Sequence, residues 1–373
     1  MTGKHLKSHI DGLDLIRIAA ALLVMSNHFA VFNRTAAAEA RSAEEAAFPL
    51  LGIMAGPGAV GVQVFFVISG FVIAMSMKTA GPMEFLKKRA LRILPALWIC
   101  SLVALVARVA HGEDMFSMIA AYFRSVVLSP KGPYIDGVVW SLVVEAVFYG
   151  LIFACMLLVP KLPLKRIAAM IGIASVAYLT VFAVAACSRH HPDGLYAYQV
   201  LERFPFKVFL LRHGVFFALG ILLYVRFMED DRSVGLAIPG LFAAFGMLEI
   251  GITMEAIHAS ISLAIALWLA GLLAILGSIV YRHRIAQQLS ERRNTVKKLG
   301  LLSYPLYLNH YALGMVLVPS LFALGIDGGW VLLLSLFIIL SSSWLIMVGP
   351  EPMLRNLLRQ AMFRTHPLPS LGR

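Results

Sequence analysis

Residues 13–32, LDLIRIAAALLVMSNHFAVF, form an apolar run long enough to cross a bilayer as a helix, which takes about 20 residues. Three ionisable groups nevertheless fall within it: Asp14, Arg17 and His28. Charged groups inside a span are costly, so they face the protein interior or a polar cavity and mark function. Asp14 and Arg17 stand three apart on one helical face, close enough to pair. Arg17 and His28 stand eleven apart, which returns nearly to the same face after a rise of about 16 Å. One helix thus points a cation near one membrane surface and an imidazole towards the other. The rest of the chain is expected to enclose that stripe.

Composition places the whole chain in the same environment. Hydrophobic residues make up 60% and charged residues 14% of the 373, against about 45–50% and about 25% in soluble domains. Further apolar runs fall at 52–77, 93–108, 138–159, up to 187, 208–225, 234–252, 257–280, 299–321 and 329–348. The expected fold is an all-α polytopic membrane protein of about ten transmembrane helices, with one domain over 1–350 and a short basic tail over 351–373. Ten spans put both termini on one side. That side holds 23 of the 32 Lys and Arg residues and the other holds nine, so the positive-inside rule makes both termini cytoplasmic. The net charge of +12 therefore orients spans and does not point to nucleic acid. Cys100, Cys155 and Cys187 read as small apolar fillers. The first run reads as a retained span, since it lacks a sensibly placed small-residue cleavage site.

Four constellations carry candidate chemistry. His28 is either a packing residue or a general base, because neutral imidazole accepts a hydroxyl proton near neutral pH. Lys87, Lys88, Arg89 and Arg92 precede the third span. Inside-positive charge alone explains the two lysines, whereas Arg89 and Arg92 share a helical face and suit bidentate phosphate binding. In WSLVVE, Trp140 is an interfacial anchor or a site residue beside Ser141. Glu145 sits in apolar sequence and must be paired, hydrogen-bonded or neutral; pairing with Arg17, substrate orientation and packing all remain open to it. In SYPLYLNHY, Pro305 interrupts the helical ladder, and Tyr307 and His310 share a face. These read as an interior polar seam or as a substrate or acyl pocket. The histidines are scattered, without a zinc-like cluster.

Taken in order, these blocks resemble the membrane-bound acyltransferase 3 family of bacterial carbohydrate O-acyltransferases. LDLIRIAAALLVMSNHF matches its Arg-x10-His signature. GAVGVQVFFVISGFVIAM, FLKKRALRILPALW, VVWSLVVEAVFYG, LLSYPLYLNHYALG and GPEPMLRNLL are similar to its later blocks, so the likeness covers almost the whole chain. The resemblance implies a ten-helix core in a bacterial cytoplasmic (inner) membrane. It implies transfer of an acyl group, most often acetyl, from cytoplasmic acyl-CoA to a hydroxyl of a surface, secreted or lipid-linked glycan, with no tightly bound cofactor and no metal. By that likeness Arg89 and Arg92 contact coenzyme A phosphates and His28 is the catalytic histidine. Arg17 and Glu145 join it in the catalytic group, and Trp140, Ser141, Tyr307 and His310 bind substrate. The competing classes are a glycan or lipid-linked-sugar transporter using the same polar path, and a small-ligand sensor or assembly protein.

Overall fold

The computed structural model describes residues 9–40, 49–160 and 162–363; Lys4, Lys7, Lys161 and residues 364–373 of the tail lie outside them. Every regular element among the described residues is helical. The principal helices are α1 (Asp11–Ala40), α2 (Gly61–Met77), α3 (Pro82–Ala110), α4 (Met115–Val126), α5 (Val139–Leu158) and α6 (Leu164–Cys187). They continue with α7 (Gly214–Phe227), α8 (Ala237–Ala256), α9 (Ile261–Val280), α10 (Arg293–Ala323), α11 (Gly328–Val348) and α12 (Pro350–Phe363). Among the described residues nine segments are helical, long and apolar enough to cross a membrane, α2 together with the 3-10 turn Pro57–Val60 before it. The remaining one of the ten expected spans, the sixth, corresponds to α7, which has only 14 residues.

Two expected boundaries move outward for a clear reason. The third span starts eleven residues early, at Pro82, whose fixed φ suits a first helical turn. Lys87 to Arg92 are therefore helical, not loop. Likewise α10 begins at Arg293 and takes in the end of the basic linker. The sixth span moves inward instead. A short helix, Phe204–Val208, ends at an irregular stretch in which Leu210 has φ 64° and the Arg212 amide donates back to the Phe206 carbonyl. Irregular backbone at membrane depth is tolerated only where protein buries it. Here the buried partners are polar: Arg212 Nε donates to Glu249 Oε1 at 2.8 Å, Nη2 donates to Thr253 Oγ1 at 2.7 Å, and Gln63 Nε2 donates to Glu249 Oε2 at 3.3 Å.

Helix α10 is the hub, packing on α1, α3 and α11, while α7 packs between α2 and α6. The α2–α7 crossing depends on two glycines that bring backbones together, as small residues do in membrane bundles. A Cβ on Gly70 would lie 2.1 Å from the Phe217 carbonyl oxygen, and one on Gly220 would lie 2.0 Å from that of Val67. Backbone cannot rotate away as a side chain can. Gly220→Val is expected to cost about 1–3 kcal/mol or more through overpacking. The measurement is thermal unfolding of the purified protein in detergent, where Gly277→Ala, at a site with no atom within 4 Å, should stay close to the wild type.

Candidate functional site

A cavity of about 550 Å³ opens among α1, α2, α3, α5, α10 and α12, at the end of the bundle where α1 begins. On α1, Arg17 donates to Asp14 Oδ1 at 3.0 Å, the pairing their spacing predicts. His9 reaches the other Asp14 oxygen at 2.7 Å. That hydrogen bond raises the His9 pKa above its ordinary value, against partial desolvation. Asp14 fits because α10 carries Gly300 opposite it; a Cβ there would lie 2.4 Å from the carboxyl carbon.

Helix α3 divides its cations between two tasks. Arg89 Nη2 donates to Ser76 Oγ at 3.1 Å and its guanidinium lies about 6 Å from the Phe85 and Tyr149 rings. Arg92 sits over the Tyr304 ring at 5.4 Å. Both line the cavity. Lys87 instead donates to the Met362 carbonyl at 2.5 Å and fastens α12 to α3, whereas Lys88 pairs with Glu84 at 2.6 Å.

Helix α5 enters the cavity with Ser141 and Glu145. Glu145 Oε1 accepts from Ser69 Oγ at 2.6 Å and from the Tyr149 hydroxyl at 2.5 Å. Of the open possibilities, Glu145 takes these two hydroxyl partners, while Arg17 pairs with Asp14. Ser141 Oγ and the Tyr307 hydroxyl lie 2.7 Å apart, which closes the deep end of the cavity. Trp140 faces elsewhere: it packs against Phe66 at 6.4 Å and His213 at 5.5 Å between ring centroids, and it does not line the cavity.

The two sequence-predicted histidines stand beyond Tyr307. His310 lies 5.8 Å from Tyr307 and 5.3 Å from His28, and His28 meets the edge of Tyr311 at 4.8 Å. His310 is fully buried, with Nδ1 3.2 Å from the Leu306 carbonyl and Nε2 without a partner. A ring nitrogen facing a carbonyl carries the proton, which leaves Nε2 as the acceptor. Tyr307, His310 and His28 thus form a row that leads from the cavity to the opposite half of the bundle. Asp136 braces that half by accepting from the amides of Val138 at 2.9 Å and Ala312 at 3.0 Å. Burial pushes its pKa up to about 7, although both hydrogen bonds pull it down. Among the described residues no group of three His, Cys, Asp or Glu side chains comes together as a metal site.

Sequence reasoning missed three cavity residues and one buried cluster. His9 lay in the N-terminal segment before the first span, Lys297 in the basic linker and Arg355 in the tail. Arg212 and Glu249 were both passed over within expected spans, at 208–225 and 234–252; a charged side chain in an apolar run was the signal available for each.

Long apolar helices enclosing a cationic cavity define a polytopic membrane protein. The chain belongs to the acyltransferase family, whose model, described as "Acyltransferase domain", matches residues 10–348. It therefore carries a membrane-embedded domain of the acyltransferase family. Similar proteins include the "Regulator of hypoxia-inducible factor 1" of Caenorhabditis elegans, 30% identical over 32% of this chain and 25% of that protein. The "Exopolysaccharide production protein ExoZ" of Rhizobium meliloti (strain 1021) is 33% identical over 28% of this chain and 36% of that protein. "Nodulation protein 10" of Rhizobium leguminosarum bv. viciae is 29% identical over 40% of this chain and 44% of that protein. The matches thus span less than half the length of each of these relatives. No solved structure matches the chain.

Gly300→Ala provides a test of the site's packing. The added methyl group should push Asp14 off Arg17 and lower acyl transfer by up to about 100-fold, as a small misplacement away from the chemistry can. Transfer activity in membranes, normalised to folded protein, measures the effect.

Proposed function

We propose that this protein moves an acyl group, most often acetyl, from acyl-CoA to a hydroxyl of a surface, secreted or lipid-linked glycan. The setting is a bacterial cytoplasmic membrane, with ten crossings counting α7, both termini in the cytoplasm and the cavity open to that side. The observation that carries the reading is a cationic cavity whose deep end meets a row of Tyr307, His310 and His28. Anionic donor and neutral acceptor would then approach from opposite ends. The ExoZ name speaks of exopolysaccharide production, which supports a glycan acceptor.

In this reading Arg89 and Arg92 hold donor phosphates, because guanidinium forks match phosphate oxygens. The thioester points past Ser141 and Tyr307, whose hydroxyls contact each other across the deep end and must part to admit it. His28 takes the proton of the glycan hydroxyl. The alkoxide oxygen forms a bond to the thioester carbonyl carbon and the carbon–sulfur bond breaks. His28 then returns the proton to the departing thiolate, which leaves as free coenzyme A thiol. His310 holds His28 in place through ring contact. Glu145, held by Ser69 and Tyr149, keeps the cavity wall ordered beside the acyl arm, and Arg17 lends positive charge near the donor. Trp140 supports the Ser141 turn through its packing on Phe66.

The test is mass spectrometry of host glycans with wild-type, deleted and His28→Ala protein. Loss of one ester-sized mass increment in the deletion and at least a 100-fold drop in the folded His28→Ala variant are expected, the size of effect of losing a general base. An unchanged increment in the variant would remove His28 from the mechanism. A glycan displaced between compartments with its esters intact would point to transport. Arg89→Ala and Arg92→Ala should each weaken donor binding by about ten- to a hundredfold, the worth of one charge-assisted hydrogen bond, measured as Kd for coenzyme A.

A further inference from the structure

Ion pairing separates the cavity's cations into two sets. Seven basic side chains line it. Four have a carboxylate partner: His9 and Arg17 share Asp14, Lys88 pairs with Glu84, and Arg355 pairs with Glu351. Among the described residues no carboxylate lies within ion-pair distance of the other three, Arg89, Arg92 and Lys297. Two of these are the α3 arginines already placed on donor phosphates. The third comes from the opposite wall, on α10, and stands exposed at the rim.

Its position along α10 is informative. Lys297, Gly300, Tyr304 and Tyr307 all line the cavity and recur at the three- and four-residue spacing of one helical face. His310 continues that face inward. Arg92 sits over Tyr304, seven residues along from Lys297. At 1.5 Å per residue Lys297 therefore lies about 10 Å nearer the rim than Arg92, and side chains lean towards the helix N-terminus, further outward still. From rim to depth the order is Lys297, then Arg92 at Tyr304, then Tyr307, then His310 and His28. An acyl-CoA has the same order of parts, from ribose 3′-phosphate through diphosphate and pantetheine arm to thioester.

We propose that Lys297 binds the 3′-phosphate of the acyl-CoA donor, while Arg89 and Arg92 hold its diphosphate. The inference rests on the acyl-CoA reading above and adds to it a specificity determinant on a separate helix. A lysine suits this post, because a compact ammonium on a flexible stem follows a phosphate that stays partly in water. Lys297 then makes the protein discriminate coenzyme A from its 3′-dephospho form.

The experiment measures Kd for coenzyme A and for 3′-dephospho-coenzyme A by calorimetry on the purified full-length protein in detergent, at constant salt. Wild type should bind coenzyme A about ten times more tightly than the dephospho form, the scale of one charged contact. Lys297→Ala should lose that preference by weakening coenzyme A alone. Lys297→Arg should keep it, and Lys298→Ala, the neighbouring lysine outside the cavity lining, should leave both affinities unchanged. Equal weakening of both ligands in Lys297→Ala, or a preference that survives, would overturn the 3′-phosphate assignment and leave the donor reading standing. Wild type that binds neither ligand would overturn the donor reading itself. Elution of each variant at the wild-type volume on size exclusion shows that it is folded.

Discussion

The packing of α1 against α10 is the contact on which the site depends. Each helix is apolar over most of its surface, and each carries a short file of polar groups: Asp14, Arg17 and His28 on one, Tyr304, Tyr307 and His310 on the other. A bilayer offers no partner for such groups, so they are driven into the bundle. Gly300 lets the Asp14 carboxyl press against the α10 backbone. His28 and His310 then meet further along the same contact. Moving either helix would part His28 from His310 and Asp14 from the backbone at Gly300.

Around that contact the protein sorts its buried charge by whether it is compensated. The Arg212–Glu249 pair, with Thr253 and Gln63, is compensated within the bundle and secures the break before α7. Breaking such a pair from one side leaves an unpaired buried charge, which is why these pairs resist change even when their net worth is small. Among the described residues Arg89 and Arg92 have no carboxylate partner and rest on aromatic rings and one hydroxyl. Cations held over ring faces are partly stabilised yet keep their donors available.

Helix α12 changes the meaning of the chain's end. Read from composition, residues after 350 are a basic tail. In the fold, Glu351 is buried, Arg355 lines the cavity, and Lys87 fastens the Met362 carbonyl to α3. The amphipathic segment therefore forms part of the cavity wall at the end where charged side chains concentrate.

The helical membrane class, the Asp14–Arg17 pairing and the shared face of Tyr307 and His310 were all legible in the sequence. They follow from run length, residue type and 3.6-residue periodicity, which act within one helix. Which helix meets which was not legible, because an apolar run presents much the same surface to every neighbour. Only the tertiary structure gave Glu145 its hydroxyl partners, turned Trp140 away from the cavity and set His28 beyond it. It alone placed Lys297 on the wall of the cavity that Arg92 also lines and joined Arg212 to Glu249. Those outcomes depend on where small residues allow backbones to approach, and that is a property of helix pairs, not of any one stretch of chain.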